Sequence, residues 1–370
     1  MERALARSRD RFPDPHSSRR RIRLMIVDDS TVARAVLSRM VESDPAFEIT
    51  AIAASGEAAV EALGECLVDV VILDLEMPGA GGLKSIPRII AAAGGAKVMI
   101  VSSLAEDGAE QTVAALALGA ADTMPKPGTG RFNGKFSEIL LARLKALGYA
   151  SLQPRIPVAP ANAAAQAMLR TAPFDPIGAL AIGASTGGIH ALGVLFQALP
   201  QRIGVPILVT QHLPAPFMNV FARQLGVVAR REAVVAEDGM PLLADRILVA
   251  PGDAHLTLQA GPEAPIVCLT EGRSNSGCMP SVDPMFASLG AVYGASAVGV
   301  VLTGMGRDGV EGASRLVGCG GSILAQDEAS CAVWGMPRAV LEAGLACAVL
   351  PPDKIARRIA SRIEGQPACK

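Results

Sequence analysis

The sequence predicts an α/β protein of two successive domains, each a mainly parallel sheet with helices on both faces. Three observations predict it. Short runs of Val, Ile, Leu and Ala alternate with helix-period segments, as in parallel strands buried on both sides. The chain has 370 residues, enough for two domains. A Pro-rich stretch interrupts the alternation near the middle. With 50% hydrophobic and 19% charged residues, large cores can form and wholesale disorder is excluded.

The first domain is expected over residues 22–147. Its strands read as Leu24–Val27, Ile49–Ala53, Val70–Leu73, Lys97–Val101 and Ala120–Met124. Between them lie helical patterns around Ala33–Glu42, Glu57–Glu65, Leu83–Ala93 and Gln111–Leu118, and a last helix fits Phe136–Leu147. Ahead of this domain, residues 1–21 read as a basic disordered tail, with a docking or targeting arm as the alternative. Arg3, Arg7, Arg9, Arg11, Arg19, Arg20 and Arg21, with Arg23 just beyond, face three acids, and no apolar core of a signal peptide is present.

Residues 148–176 read as a linker, broken by Pro154, Pro157, Pro160, Pro173 and Pro176, with an Ala-rich middle that could hold a short helix. The second domain is expected over residues 177–365. It opens with a strand at Ala179–Ile182, a Gly-rich turn and a helix at His190–Leu199. Further strands read at Pro206–Thr210, Arg246–Ala250, Ala297–Thr303 and Ser322–Ala325.

Composition narrows the function. A net charge of −1 and 3% aromatics argue against nucleic-acid binding by phosphate neutralisation or base stacking. No apolar run approaches the ~20 residues of a spanning helix, so membrane insertion is not expected. The seven cysteines (Cys66, Cys268, Cys278, Cys319, Cys331, Cys347, Cys369) contain no C-x-x-C pair. That reads as reduced thiols in a cytoplasmic protein, without a zinc site.

In an open parallel sheet, ligands sit beyond the carboxyl ends of the strands. Asp28 and Asp29 follow the first strand, Asp74 ends the third, Ser102 ends the fourth and Lys126 follows the fifth. Three carboxylates at one rim repel one another unless a cation intervenes, and Mg²⁺, a hard cation with oxygen ligands, suits Asp28, Asp29 and Asp74. An aspartate can also accept a phosphoryl group, which Ser102 and Lys126 would stabilise. The plainer reading of Asp28-Asp29-Ser30 is a helix N-cap, and the two are compatible.

These residues, in Val27-Asp28-Asp29-Ser30, Leu73-Asp74-Leu75-Glu76-Met77-Pro78, Val101-Ser102-Ser103-Leu104 and Lys126-Pro127, resemble a response-regulator receiver domain. The resemblance implies a flavodoxin-like fold, Mg²⁺, and phosphorylation of Asp74 by a partner histidine kinase. Two positions depart from the usual pattern. Gly81-Gly82 stand where Asp-Gly is usual, and Thr123-Met124-Pro125 precede Lys126 without the usual aromatic.

In the second domain, Gly183-Ala184-Ser185-Thr186-Gly187-Gly188 follows a strand and opens a helix. One reading is a dinucleotide-binding turn, but the next strand ends Thr210-Gln211-His212 without the expected acid. A second is a hydrolase elbow, G-x-S-x-G, which needs a late histidine that only His255 could provide. A third is a triad in the order Ser185, His212, Asp308, each beyond a strand's carboxyl end. There His212 activates the serine hydroxyl, Asp308 orients the imidazole, and glycines around Met305 free amides for an oxyanion. Each residue taken singly also reads as an ordinary turn or a structural histidine.

Those residues also lie in motifs. Gly183–Gly188, Gln211-His212-Leu213-Pro214, Ala250-Pro251-Gly252-Asp253-Ala254-His255-Leu256, Pro280-Ser281-Val282-Asp283, Thr303–Gly309, Ala325-Gln326-Asp327 and Gly335-Met336-Pro337-Arg338 together resemble the chemotaxis protein-glutamate methylesterases. The resemblance implies a doubly wound, mainly parallel α/β esterase domain with a Ser185–His212–Asp308 triad, Thr186 nearby, and Met305 lending an oxyanion-hole amide. It implies glutamyl methyl esters on chemoreceptor cytoplasmic helices as substrate, with deamidation of receptor glutamines in some members. The esterase half then needs no cofactor. His190 and His255 are expected to be structural neighbours. Unphosphorylated, the receiver would cover the triad. Two rivals remain: the same esterase serving another signalling pathway, and an adaptor that binds without catalysis.

Overall fold

The computed structural model describes residues 20–78, 81–102, 106–126, 134–152, 169–171, 176–262 and 264–364. Nearly all of the tail expected over 1–21, and the Ala-rich middle of the linker, lie outside the described residues.

The first sheet is built from β1 (Ile22–Val27), β2 (Phe47–Ala53), β3 (Val70–Leu73), β4 (Lys97–Ser102) and β5 (Asp122–Pro125), in the order β2-β1-β3-β4-β5. Every neighbouring pair is parallel. This is the flavodoxin-like order, whose switch point between β1 and β3 places ligands at their carboxyl ends. The helices are α1 (Thr31–Glu42), α2 (Gly56–Glu65), α3 (Gly81–Ala92), α4 (Glu106–Ala117) and α5 (Gly134–Leu152). Alternate β1 residues feed two apolar layers. Ile22, Leu24 and Ile26 pack with Leu140, Leu144 and Leu147 of α5. Met25 and Val27 join the layer containing Ile86 and Ile89 of α3.

Helix starts follow local chemistry. The Ser30 hydroxyl accepts from Ala33 N–H at 3.2 Å and the Ser55 hydroxyl from Ala58 N–H at 3.2 Å. The last helix runs five residues past the expected Leu147. Gly148 does not stop it. A Cβ there would stand 2.3 Å from an Ile22 side-chain carbon, so the glycine lets α5 lie close on β1.

The second sheet has seven strands. They are β6 (Ala179–Ala184), β7 (Ile207–Gln211), β8 (Ala233–Val235), β9 (Ile247–Val249), β12 (Ala297–Val301), β13 (Ser322–Gln326) and β14 (Ala346–Leu350). Their order is β14-β13-β12-β6-β7-β9-β8, parallel throughout. An antiparallel hairpin of β10 (His255–Gln259) and β11 (Ile266–Thr270) stands apart. The helices are α6 (Gly188–Ala198), α7 (Ala215–Ala229), α8 (Val282–Tyr293), α9 (Val310–Gly318), α10 (Met336–Glu342) and α11 (Pro352–Glu364). The α/β class expected from sequence is observed. Sequence reading named only the first helix of this domain and missed β8, β14 and the hairpin. β8 and β14 are half-buried edge strands, too short and mixed to show a period. Among the described residues no helix is long and apolar enough to cross a membrane.

The two domains touch. Helix α4 packs against α6 and α7, with an ion pair between Glu110 and Arg223. Val333 of the second domain is buried in the apolar cluster of Met99, Val101 and Met124 in the first.

Candidate active site and phosphoryl pocket

At the carboxyl rim of the first sheet, ligand oxygens of Asp28, Asp29 and Asp74 all lie within 4.8 Å of one another. Asp28 and Asp74 are buried, and Asp29 is exposed. The Lys126 ammonium reaches both buried carboxylates, at 3.1 Å from Asp28 Oδ2 and 2.7 Å from Asp74 Oδ2. Burial pushes Asp74 above the usual carboxylate range, although Lys126 opposes this. Lys126 is raised above the ordinary lysine range, because its two carboxylates outweigh its own desolvation. Asp28 Oδ2 is buried and, among the described residues, meets only the Lys126 ammonium. An oxygen-only donor set of three carboxylates within 4.8 Å of one another fits a hard cation. The backbone of Ser102 closes β4, and its side chain lies outside the described residues.

The second constellation grows from three adjacent strands. β6 lies between β12 and β7. Register pairs Ala184 with Gln211, so Ser185 and His212 are the next residues out on neighbouring parallel strands, roughly 5 Å apart. His212 N–H donates to the Ala184 carbonyl at 3.1 Å, and the Ser185 carbonyl accepts from Gln211 Nε2 at 2.9 Å. Ser185 N–H donates to Thr303 O at 3.0 Å, which ties the serine to the loop after β12. Gly304 in that loop passes so close that a Cβ on it would stand 2.7 Å from Ser185 Cβ. The next residue, Met305, is 40% exposed.

His212 Nε2–H donates to Asp308 Oδ2 at 2.8 Å. Asp308 is buried and takes two more donors: the Ser281 hydroxyl on Oδ1 at 2.6 Å and Val282 N–H on Oδ2 at 2.7 Å. Ser281 caps α8 by accepting from Asp283 N–H at 3.2 Å. The carboxylate therefore rests on the positive end of a helix. His255 supports the cap from behind. Its Nδ1 accepts from Ser281 N–H at 3.0 Å and its Nε2–H donates to Gly272 O at 2.9 Å. Both ring nitrogens are committed, so His255 is structural, as expected.

Burial alone would lower His212. The bond to Asp308 and the Cys278 thiol outweigh it, and the imidazole is pushed up to about 9. Burial would raise Asp308, but His212, Ser281 and Val282 hold it well below the usual carboxylate range. Behind it, burial and the Asp308 charge push Asp283 up to about 7. If His212 serves as base, only its neutral form works. The rate is then expected to climb nearly tenfold per pH unit from 6 to 8 and level near 9. The rate measured across that range checks it, and a flat profile would remove His212 as the base. The stability that the charged pair contributes runs the other way: it is complete below the unfolded value of 6.5 and fades as pH rises through about 9.

The structure brings His212 and Asp308 into contact and sets Ser185 on the adjoining strand end. Among the described residues, no hydrogen bond joins the Ser185 hydroxyl to the imidazole in this arrangement. Thr186 is turned elsewhere: its hydroxyl donates to Asp122 Oδ2 of the first domain at 3.1 Å. Gly187 N–H donates to Ala121 O at 2.5 Å, and His190 Nδ1 donates to Ala117 O at 3.3 Å. The serine turn is thus held against β5 and α4 of the first domain. Beside them, Arg143 donates to Asp122 Oδ1 at 3.1 Å and to Thr123 O at 2.7 Å.

Sequence reading missed the roles of Ser281 and Asp122, and it missed Cys278, whose Sγ lies within 4.8 Å of ligand atoms of both His212 and Asp308. Ser281 carried a signal, a serine just ahead of a helical pattern with an acid two residues on. Cys278 and Asp122 carried none, because only the fold makes them neighbours.

An acidic pocket with a lysine on one parallel sheet, and a serine, histidine and aspartate on the rim of another, define a response regulator with an enzyme-like output domain. Residues 24–131 match the response regulator receiver domain family, and residues 180–359 match the CheB methylesterase family. A Caulobacter vibrioides protein named protein-glutamate methylesterase/protein-glutamine glutaminase 2 is 42% identical over 347 residues, covering 92% of this chain and 99% of that protein. An Azospirillum brasilense protein-glutamate methylesterase/protein-glutamine glutaminase is 38% identical, covering 92% and 93%. The solved catalytic domain of Thermotoga maritima CheB methylesterase is 34% identical, covers 51% of this chain and 99% of that one, and superposes with a TM-score of 0.49. The chain belongs to the CheB methylesterase family.

Proposed function

We propose that this chain is a phosphorylation-regulated esterase that hydrolyses glutamyl methyl esters on the cytoplasmic helices of chemoreceptors, releasing methanol and restoring glutamate. The observation that carries it is the His212–Asp308 pair beside Ser185, on the rim of a sheet in a chain of this family. Ser185 attacks the ester carbonyl and passes its proton to the imidazole. Asp308 holds Nε2–H, which leaves Nδ1 to take that proton and return it to the departing methoxide. The Met305 amide, beside the close approach of Gly304 to Ser185, faces the developing oxyanion. Water activated by the same imidazole then cleaves the acyl-enzyme. Receptor glutamines fit the same chemistry, with ammonia leaving.

Asp28, Asp29 and Asp74 would hold Mg²⁺, which supplies charge neutralisation for phosphoryl transfer onto Asp74 from a partner histidine kinase. Lys126 would neutralise the phosphoryl oxygens, helped by Ser102. The contacts Asp122–Thr186, Ala121–Gly187 and Glu110–Arg223 support a resting state in which the first domain covers the serine turn. Phosphorylation opens it only as far as it favours the open state. Free thiols at six described cysteines agree with a cytoplasmic setting.

The test is methanol release from a methylated receptor-helix fragment by the full chain and by Asp74→Asn, with and without a small phosphodonor. Wild type is expected to release methanol, several-fold faster with the donor, and Asp74→Asn is expected to ignore the donor. No methanol from wild type in either condition would remove the esterase reading. Equal rates in all four conditions would remove the switch alone.

A further inference from the structure

Residues 212, 278 and 308 are far apart in sequence, so no ligand spacing reveals them as a set. In the fold, one donor atom from each of His212, Cys278 and Asp308 lies within 4.8 Å of the other two. The imidazole and the thiol are half-buried and reachable from solvent, whereas Asp308 is buried. We propose that His212, Cys278 and Asp308 form a binding site for a zinc-class divalent cation, and that the bound cation silences the esterase by occupying its base.

The donor chemistry selects the ion. One nitrogen, one sulfur and one carboxylate oxygen form the borderline-soft set that zinc takes, at about 2.0–2.3 Å from each donor. Around a tetrahedral ion such donors stand roughly 3.5 Å apart, so modest side-chain movement closes the set. Three protein ligands leave one position for water. The carboxylate is already oriented by the Ser281 hydroxyl at 2.6 Å and Val282 N–H at 2.7 Å, the outer support that ligating carboxylates need. The all-oxygen cluster of Asp28, Asp29 and Asp74 suits a hard ion instead, so the two sites of one chain would sort cations by softness. A cation on the imidazole leaves His212 no lone pair for the serine proton, which is why occupancy stops hydrolysis.

The silencing half rests on His212 being the base, and the experiment separates the two. Full-length protein carrying Asp28→Asn, which disables the competing acidic site, is stripped with a chelator. It is compared with the same protein also carrying Cys278→Ser. Co²⁺ serves as the spectroscopic probe and Zn²⁺ as the inhibitor, each rate being normalised to that protein's own metal-free rate. With Cys278 present, the expected results are a thiolate-to-cobalt charge-transfer band, and methanol release cut at least about tenfold by Zn²⁺ and restored by chelator. With Cys278→Ser, the band is expected to vanish and at least about tenfold more Zn²⁺ to be needed. No thiolate band, or equal Zn²⁺ sensitivity in both proteins, would overturn the site. A thiolate band with an undiminished rate would overturn the silencing and remove His212 as the base.

Discussion

Ser185→Ala is expected to lower methanol release by about 10⁴-fold or more while leaving the thermal unfolding midpoint nearly unchanged. The two halves of this expectation have different sources. The position of residue 185 is set by its backbone, through the N–H bond to Thr303 and the carbonyl bonds from Gly188 and Gln211. Alanine keeps all of these. What it removes is the one oxygen that could form the acyl-enzyme, and His212 and Asp308 then have nothing to activate. The variant also separates catalysis from adaptor function. If receptors are still demethylated in cells carrying only Ser185→Ala, the protein acts by binding and the triad reading fails.

Asp308→Asn is the second large effect. In serine hydrolases the equivalent change costs about 10⁴ in rate, because an amide can present its N–H₂ to the imidazole and favour the wrong tautomer. Here the loss extends to the fold. Asp308 accepts from His212, Ser281 and Val282, and its charge sits at the head of α8. An asparagine has one oxygen for those three donors, so a buried donor is left unsatisfied, at about 1–3 kcal/mol. The expected result is a rate down by about 10⁴ together with a lower unfolding midpoint. A rate within tenfold of wild type would show that Asp308 does not orient the base.

Much of this architecture was legible because it rests on local rules. Val70–Leu73 reads as a strand from its own four side chains, and it is one. Asp28, Asp74 and Lys126 could be placed on a common rim because each follows such a strand, and the rim position follows from parallel topology alone. The same logic put Ser185, His212 and Asp308 on one edge. It could not provide what lies across the cleft. Ser281 reaches Asp308 only because α8 packs its cap there, and Cys278 comes with it on the preceding loop. Asp122 meets Thr186 only because two domains close on each other. β14 escaped because half-buried edge residues show no clean period. The end of α5 lies past Leu147 because Gly148 lets the helix pack closely on β1, a contact that only the fold creates.

β5 is the outermost strand of its sheet, and the serine turn meets it at one end, through the Ala121 carbonyl just ahead of it and the Asp122 side chain. A movement that parts the domains gives more room at this strand margin, the kind of surface on which other chains assemble into aggregates. This margin is poorly suited to such templating: it is four residues long, begins with a charged aspartate and ends in Pro125, which has no amide proton to offer. An active molecule can stay open without becoming sticky.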